Sequence, residues 1–410
     1  MLLEDMVREI RARGFLTASV QPDQRASCAG VLGVENAGAV DALLVPALRK
    51  ASPPACGQAW PQQVFVPFDH APPSTPLPCR RLRRRRQEQS QREQRDSLAI
   101  MMWPHETHFR APRSPLEACP QPCSFIPPCP GLLSAADYIL VHVPSIQQMG
   151  QGTPLLPPLP ATATADCVQP WVFFSQESQS NYMMQGDAQF RSLFAYNMSY
   201  ELDSSVPITY ADRPYLSGFD YSRPASPHKD SRRQVVCIIG KCNSHTGRKE
   251  FVAQLGEHVV IDSYGACLKN KTQPVPDARW FNIYGEAKLS LMSEYFFCIA
   301  FENSRHHDYV TEKVFQALAA GCVPLYDGAP NAKLLLPQKS FIDRNDFADA
   351  ADMGRYLRHL LTAPREYAAY FEWKTVPSEV AKLEALARLG SDSGWCRLCQ
   401  FLHESEGAAS

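Results

Sequence analysis

The fold is decided by residues 295–331, YFFCIAFENSRHHDYVTEKVFQALAAGCVPLYDGAPN, which combine two apolar runs, a polar loop and an amphipathic segment. YFFCIAF is apolar, rich in aromatic residues and of strand length, as expected for a strand covered on both faces. The loop ENSRHHDYVTEK leads into a helix predicted over residues 314–320, which Gly321 ends before the strand CVPLY. The stretch predicts a βαβ unit with polar residues where its first strand ends, the place where open α/β sheets bind ligands.

The polar loop carries groups suited to a phosphorylated sugar. Thr311 is placed to cap the helix, and a helix N-terminus with Lys313 beside it favours phosphate. Asn303, Tyr309 and Glu312 offer an amide, a hydroxyl and a carboxylate for a ribose or a sugar. Each residue alone has a plainer interpretation, because acidic residues are common at helix starts and Glu-Lys pairs are commonly solvated. Their clustering favours a ligand site.

The order of motifs in this stretch resembles the signature of the α1,3/4-fucosyltransferase family. The motifs are F-E-N, D-Y-V-T-E-K, A-x-x-x-G-x-V-P-L and G-x-P-N, a succession that forms the GDP-fucose site in that family. Residues 235–271, VVCIIGKCNSHTGRKEFVAQLGEHVVIDSYGACLKNK, are similar to its strand, donor loop and D-x-Y-G-x-C element. The resemblance covers about residues 171–402. It ends on SGWCRLCQFL, which is similar to the C-R-L-C ending of plant-type core α1,3-fucosyltransferases.

The resemblance implies an α/β fold of the GT-B type, with two Rossmann-like domains and a cleft between them. It also implies GDP-fucose as the donor, with Arg248 at the position of the family's donor-binding arginine. A guanidinium forks onto phosphate oxygens and an ammonium acts as a point charge, so Arg248 and Lys313 would neutralise the diphosphate leaving group. Asn303, Tyr309 and Glu312 would position the ribose or the fucose. Without the resemblance, Arg248 would be interpreted as a surface residue near a helix start.

A candidate catalytic base follows the apolar strand WVFFS, residues 171–175, in a polar turn that contains Glu177. The family places a Glu-Ser pair after such a strand. An inverting transfer needs a carboxylate within hydrogen-bond reach of the acceptor hydroxyl, and partial burial would have to raise its pKa. The residues alone would favour an ordinary loop carboxylate, and the resemblance favours the base.

The acceptor implied by the resemblance is O3 of a GlcNAc, with the core GlcNAc of N-glycans favoured. Lewis-type relatives carry Tyr-Arg-Arg where this chain has Tyr200-Glu201-Leu202, and plant-type members also lack that arginine. A Lewis-type transfer to N-acetyllactosamine remains an alternative. Residues 240–242, Gly-Lys-Cys, depart from the family's donor loop. A non-catalytic sugar-nucleotide or glycan-binding protein of the same fold is therefore a further alternative.

Composition limits the range of partners. The chain has 410 residues, 45% of them hydrophobic and 20% charged, which suggests two or three domains. A net charge of −1 gives no general attraction to nucleic acid, which we do not expect as a partner. The arginine run at residues 80–86 is interpreted as a solvated segment, with a nucleic-acid or nuclear patch as the weaker alternative. No metal signature is visible, so no cofactor is expected, although stimulation by Mn²⁺ stays open.

Fourteen cysteines point to an oxidising lumen. Disulfides are expected at Cys396 and Cys399 near the end, and among Cys119, Cys123 and Cys129 in a proline-rich stretch. Zinc is the alternative for the C-x-x-C pair, although a structural zinc site wants four ligands.

Two further cysteines lie in apolar strands, and two glycosylation motifs occur in the sequence. Cys298 and Cys322 lie in apolar strands and are expected to behave as small hydrophobic residues. Asn197 and Asn270 begin Asn-x-Ser/Thr triplets, which are compatible with passage through the secretory pathway.

The predicted organisation has four parts. Residues 1–95 form a poorly ordered N-terminal region, residues 96–225 an acceptor-side α/β domain and residues 226–234 a linker. Residues 235–410 form a GDP-fucose-binding donor domain with C-terminal helices and the C-x-x-C pair.

Family members are expected to be type II membrane proteins of the Golgi, acting on a glycoprotein N-glycan in the lumen. No stretch of 18 uninterrupted apolar residues exists here, and the nearest, residues 32–48, contains Glu35, Asn36 and Asp41. No signal peptide is recognisable in the first 30 residues. We therefore expect a Golgi anchor that is not evident in this sequence.

Overall fold

The structure is a computed structural model that describes residues 97–103, 119–121, 123–126, 135–149, 169–211, 230–272 and 286–408. The predicted poorly ordered region 1–95, the arginine run, Cys129 and the first residues of the predicted linker lie outside these ranges. Within them the chain forms two compact units. The first contains the described residues up to Ser199, Asp203–Pro207 and those from Gly394 onward; the second contains Tyr200–Leu202 and Ile208–Ser393.

The first unit is built on a parallel sheet with the strand order β2-β1-β3-β4-β5-β6. The strand sequences LAIMMW, YILVH and WVFFS are continuously apolar or nearly so and are buried throughout, as in parallel sheets covered on both faces. Its strands are β1 (Leu98–Trp103), β2 (Cys123–Ile126), β3 (Tyr138–His142), β4 (Trp171–Ser175), β5 (Tyr196–Ser199) and β6 (Val206–Pro207). Its short helices are α1 (Val143–Met149), α2 (Ala188–Arg191) and the 3₁₀ turn Met183–Gly186.

The second unit has a parallel sheet in the order β11-β10-β9-β7-β8. Its strands are β7 (Val235–Cys237), β8 (Ile261–Ser263), β9 (Phe297–Phe301), β10 (Val323–Asp327) and β11 (Ile342–Asp343). Helices α3 (Arg248–Leu255), α4 (Glu286–Ser293), α5 (Glu312–Ala319) and α6 (Ala332–Leu335) connect successive strands. From β7 the chain adds β8 on one side and β9, β10 and β11 on the other, so the topological switch point lies between β7 and β9. The predicted α/β class with two Rossmann-like units of the GT-B type is confirmed.

The βαβ unit predicted for residues 295–331 is present as β9, α5 and β10. Helix α5 begins at Glu312, two residues before the predicted start, and Gly321 follows its end with a left-handed φ of 66°. The predicted cap is wrong in its contact, since the Thr311 side chain makes no capping hydrogen bond to the helix. Its hydroxyl donates to Glu302 instead.

The closing helices divide between the two units. Thr209 in the second unit donates from its backbone N to the Leu389 carbonyl at 2.8 Å, whereas residues 394–408 belong to the first unit. The predicted range 96–225 includes Thr209, which belongs to the second unit. The predicted range 235–410 includes the segment from Gly394 onward, which belongs to the first unit. The closing elements are α7 (Ala350–Thr362), α8 (Pro364–Ala368), α9 (Pro377–Arg388) and α10 (Ser391–Ala408), with 3₁₀ turns at Arg344–Asp346 and Ala369–Thr375.

Two disulfides explain why the C-terminal segment lies with the first unit. Cys119 is bonded to Cys396 and Cys123 to Cys399, which ties one side of α10 to the start of β2. The disulfides predicted at these positions are confirmed for the described cysteines, and the zinc alternative for the C-x-x-C pair is wrong because both thiols are bonded to other cysteines.

Two more disulfides lie in the second unit. Cys298 and Cys322, predicted to be small hydrophobic residues, are bonded to each other, which corrects that prediction. They come close because β9 and β10 are adjacent parallel strands. Cys242 is bonded to Cys267, so the loop after β7 is joined to the loop after β8. The Cys242–Cys267 bond braces the loop that follows β7, and the Cys298–Cys322 bond joins β9 to the residue before β10.

The paired disulfides of the first unit make a testable prediction about stability. Either bond alone would close a loop of more than 270 residues, but with one bond present the other closes only a short ring. Replacing one pair, as in Cys123→Ser with Cys399→Ser, should therefore lower the free energy of unfolding by about 3 kcal/mol. Replacing all four cysteines should cost well over twice as much, as measured by urea titration.

The control is Cys237→Ala, which removes a buried thiol that forms no disulfide. It should cost less than either pair. A four-cysteine variant that loses no more than the two pair variants added together would contradict the loop-closure explanation.

Candidate functional site

The candidate site lies in the second unit, after the carboxyl ends of β7 and β9. These strands flank the topological switch point, where loops leave the sheet in opposite directions and open a crevice. The loop after β7 leads to Arg248, and the loop after β9 leads to Lys313. The two regions are joined directly, since the His245 backbone N donates to the Asn303 carbonyl at 2.9 Å. The structure thus brings the predicted donor-binding segments together.

Arg248 is the first residue of α3, directly after Gly247, whose φ is 65°. Its guanidinium is buried and donates to the carbonyls of Phe301 at 3.0 Å and Lys241 at 2.8 Å. Burial lowers the pKa of Arg248, and the nearby carboxylate of Glu302 opposes that shift. Arg248 therefore links the β7 loop to the end of β9. Its Nε is buried and has no hydrogen-bond partner among the described residues.

A buried carboxylate that sequence reasoning did not single out lies between these groups. Glu302 has no exposed surface and accepts hydrogen bonds from the Thr311 backbone N at 2.8 Å and from the Thr311 hydroxyl at 2.9 and 2.7 Å. The Lys313 ammonium lies 3.0 Å from the Oε2 atom of Glu302. Burial raises the pKa of Glu302, while Lys313 opposes the shift. The only sequence signal for this role was its place in the F-E-N motif.

Lys313 lies between two carboxylates. Its ammonium contacts Glu302 at 3.0 Å and Glu312 at 3.2 Å, and it donates to the Thr311 hydroxyl at 2.6 Å. Burial alone would lower its pKa, but the two carboxylates outweigh that effect and raise it. Lys313 is therefore a fixed positive charge, and 26% of its side chain remains exposed. Burial by itself would raise the pKa of Glu312, but Lys313 and Lys288 hold it below the ordinary value.

The charges alternate in sign around the first turn of α5. Lys288, Lys313 and Arg248 are the basic groups, and Glu302 and Glu312 are the acidic groups, so the cluster has a net charge of +1 when all five are ionised. Burial lowers the pKa of Lys288, and the charge of Glu312 opposes that shift. Such a cluster next to a helix N-terminus suits an anionic ligand. Sequence reasoning missed Lys288, because it lies on α4, 25 positions before Lys313.

The two remaining predicted donor-site residues differ in accessibility. Asn303 is partly buried, and its side-chain oxygen accepts from the Ser304 hydroxyl at 3.0 Å. Tyr309 is buried, and its ring packs edge-on against Tyr200 and Tyr210 at centroid distances of 4.9 and 6.2 Å. Both residues belong to the same loop as the charge cluster, with Tyr309 in its packed interior.

Residues at the end of β10 and in the loop that follows it hold that loop in place. Asp308 has a left-handed φ of 63°, and its side chain accepts from Asn331 at 2.7 Å and from the Leu202 backbone N at 2.9 Å. Arg305 forms a bidentate pair with Asp327, with both distances 2.6 Å. The D-Y-V-T-E-K and G-x-P-N motifs are therefore in direct contact. This pairing of loops is not visible in a linear pattern.

Glu177 lies in the first unit, two residues after β4. Its backbone N donates to the Ser175 hydroxyl at 3.0 Å, and its carboxylate accepts from the Asn181 side chain at 3.0 Å. The carboxylate is half-buried. This arrangement holds the carboxylate in a fixed orientation at the carboxyl end of the sheet, while its catalytic role stays a prediction.

Comparison with known proteins identifies the family. The model described as "Fucosyltransferase, N-terminal" matches residues 95–211, and "Glycosyltransferase family 10 (fucosyltransferase) C-term" matches residues 228–410. Together these two parts of one family cover most of the chain. The chain belongs to glycosyltransferase family 10.

Individual relatives match over part of their length. The human "GDP-fucose protein O-fucosyltransferase 3" is 30% identical over 239 residues, covering 57% of this chain and 49% of that protein. The mouse "Alpha-(1,3)-fucosyltransferase 7" is 29% identical over 285 residues, covering 68% and 66%. A solved structure, "Crystal Structure of alpha1,3-Fucosyltransferase", is similar at a TM-score of 0.44 and 16% identity over 67% of this chain and 81% of that chain. The chain spans about half the length of several curated relatives that it matches, which are animal proteins and give no support to the plant-type subgroup.

Two further observations concern metal and membrane. Within the described ranges, no group of three or more His, Cys, Asp or Glu residues is arranged to hold a metal ion, and metal dependence stays a prediction. No helix in that part of the chain is both long and apolar enough to cross a bilayer.

The buried pair of Glu302 and Lys313 predicts a specific pattern of stability. Lys313→Met should lower the free energy of unfolding by about 3 kcal/mol, because the buried Glu302 would lose the ammonium that directly contacts it. The double variant Glu302→Gln with Lys313→Met should recover much of that loss, since the uncompensated charge is gone. Urea titration of both variants measures the difference.

Lys333→Met is the matched control, because Lys333 is exposed and pairs with Asp346 at 2.7 Å on the surface. It should change stability by less than about 1 kcal/mol. If Lys313→Met cost no more than this control, the ion pair would not be the constraint described above.

Proposed function

We propose that this protein transfers L-fucose from GDP-fucose to a hydroxyl group with inversion at the anomeric carbon. The observation that carries the proposal is the charge cluster at the switch point, where Arg248 and Lys313 come together from the loops after β7 and β9. Membership of glycosyltransferase family 10 supports the donor. The departing diphosphate is the anion that such a cluster would stabilise.

The donor-side residues would act as follows. Lys313, partly exposed and permanently charged, would contact the diphosphate oxygens, and the α5 N-terminus would add its backbone dipole. Arg248 would add positive potential from behind this turn, since its guanidinium is buried against two carbonyls. Glu312 and Asn303 would orient the fucose or the ribose by hydrogen bonds. Tyr309, being buried, would support the loop from its packed side.

The chemical step balances with one base and one leaving group. The acceptor oxygen forms a bond to the anomeric carbon of fucose, and the bond from that carbon to the phosphate oxygen breaks. The electron pair leaves with GDP, whose charge the cluster stabilises. Glu177 would accept the acceptor's proton, as its fixed carboxylate permits.

For the acceptor, we propose O3 of GlcNAc in the core of an N-glycan. The support is the C-R-L-C ending and the absence of arginine at residues 200–202. Transfer to N-acetyllactosamine is the Lewis-type variant of the same reaction. Protein O-fucosylation of a Ser or Thr hydroxyl is a second candidate, because several relatives are named GDP-fucose protein O-fucosyltransferase 3. The three differ in the hydroxyl that attacks, while the donor chemistry is the same.

The proposed location is the lumen of the Golgi. Four disulfides among the described residues suit an oxidising compartment. The proposal includes a glycoprotein acceptor in the lumen and an anchor in the Golgi membrane. It also allows Mn²⁺ to stimulate the reaction.

An acceptor panel tests the proposal. Purified protein is given GDP-fucose and, separately, an N-glycopeptide, N-acetyllactosamine, or a folded protein domain with exposed Ser and Thr. We expect fucose on the glycopeptide, located at O3 of the core GlcNAc by mass spectrometry. Arg248→Ala should lower turnover with every acceptor by about 10²-fold.

The other outcomes separate the alternatives. Product on N-acetyllactosamine alone indicates the Lewis type, and product on Ser or Thr indicates protein O-fucosylation. GDP-fucose binding without transfer or hydrolysis would support the non-catalytic alternative. Absence of both binding and turnover would rule out the proposed function.

Glu177→Gln separates the base from donor binding. Transfer should fall by about 10²-fold or more, because the acceptor proton has no carboxylate to accept it. The affinity for GDP, measured by calorimetry, should stay unchanged. Glu404→Gln, an exposed carboxylate on α10, is the control and should retain full activity. A Glu177→Gln enzyme with normal turnover would remove Glu177 from the mechanism.

A further inference from the structure

The second unit contains a small cavity beneath the first turn of α5. Its volume is about 20 Å³, about enough for one water molecule. Three polar side chains line it, Lys288 from α4 and Lys313 and Gln316 from α5, together with apolar side chains that include Met292 and Cys298. Lys288 is partly buried, and removing a lysine ammonium from water is costly unless its surroundings use the charge. Lys288 belongs to the charge cluster but lies on α4, outside the two loops that carry Arg248 and Lys313.

Lys288 is attached to α5 by a hydrogen bond. Its ammonium donates to the side-chain oxygen of Gln316 at 2.7 Å, and Gln316 is itself buried. Gln316 lies three residues after Lys313, so both side chains occupy the same face of the helix. A bond to Gln316 therefore fixes the turn that carries Lys313.

Lys288 also acts on Glu312 through its charge. The charged groups that face Glu312 are Lys313 on the same helix, Lys288 on α4, Arg248 on α3 and Glu302 at the end of β9. Lys288 and Lys313 repel each other and both attract Glu312. Glu312 is thus attracted by two ammonium groups, that of Lys313 on its own helix and that of Lys288 on α4.

We propose that Lys288 is a positioning residue of the donor site, which acts on Lys313 through Gln316 and Glu312 and does not contact GDP-fucose. This inference rests on the proposed function, because the effect is exerted on donor binding and leaving-group departure. With Lys288 in place, Glu312 stays ionised and holds the Lys313 ammonium at the helix start. Without it, Glu312 protonates more readily and the contact at 3.2 Å weakens.

The sign of the pH effect follows from the charges. Burial by itself would raise the pKa of Glu312, and Lys313 and Lys288 hold it below the ordinary value. Removing Lys288 raises that pKa. In the variant, Glu312 therefore gains its proton at a higher pH. The acid limb of the pH–activity profile shifts to higher pH.

The test compares Lys288→Met, Lys288→Arg and the wild-type enzyme. For each, kcat and KM for GDP-fucose are measured across pH with the best acceptor from the panel. Lys288→Met should raise KM for GDP-fucose about tenfold at the acid end, the effect of losing one hydrogen bond to a charged group. Its acid limb should lie at higher pH, and Lys288→Arg should restore the wild-type position. Lys271→Met, which removes an exposed lysine 3.4 Å from Asp262, should behave as wild type.

The outcomes are distinct. A Lys288→Met enzyme with the wild-type acid limb and KM overturns the inference. So does a uniform loss of activity at all pH values with a lowered melting temperature, which is the result of a merely structural role. Failure of the wild-type enzyme to bind or use GDP-fucose overturns the proposed function itself, and this is seen before any variant is compared.

Discussion

The buried carboxylate of Glu302 is the constraint on which the rest of the second unit depends. A carboxylate with no exposed surface is stable only if its oxygens are fully hydrogen-bonded and its charge is compensated. Thr311 supplies the hydrogen bonds and Lys313 the charge. Because Glu302 directly follows β9 while the other two residues precede and begin α5, satisfying it fixes the path of the loop between strand and helix.

The same carboxylate explains a glycine in the next loop. A Cβ atom at Gly328 would lie 2.6 Å from the Cγ atom of Glu302 and would also collide with the Tyr326 hydroxyl. The β10 loop can therefore approach Glu302 only with glycine at this position. Asn331, in that same loop, forms hydrogen bonds with the side chain and the backbone N of Asp308 and so joins the β10 loop to the β9 loop. The F-E-N, T-E-K and G-x-P-N motifs are, in physical terms, the separate parts of one packed polar cluster.

Sequence reasoning succeeded where local pattern determines structure. The apolar runs and Gly321 were enough to predict β9, α5 and β10. The resemblance added Arg248, which the structure places close enough to Lys313 for their charges to interact. It failed where the outcome depends on contacts between distant segments. Thr311 looked like a cap because capping is the local option, but Glu302 competes for its hydroxyl.

The cysteines and Lys288 show the same limit. Cys298 and Cys322 have the surroundings of small hydrophobic residues, and only the adjacency of β9 and β10 makes them partners. The C-x-x-C pair does not by itself indicate that α10 lies with the first unit, because that depends on its partners Cys119 and Cys123. Lys288 had no motif at all, since its role depends on how α4 packs against α5. Arrangement in space, rather than residue type, decided each of these cases.

Hydrogen exchange with and without GDP tests the central claim most directly. If the diphosphate binds at the switch point, backbone amides in residues 238–252 and 301–316 should gain protection when GDP is added, and amides of β11 and α7 should not. Unchanged exchange in the first two segments, with protection elsewhere in the second unit, would contradict the account.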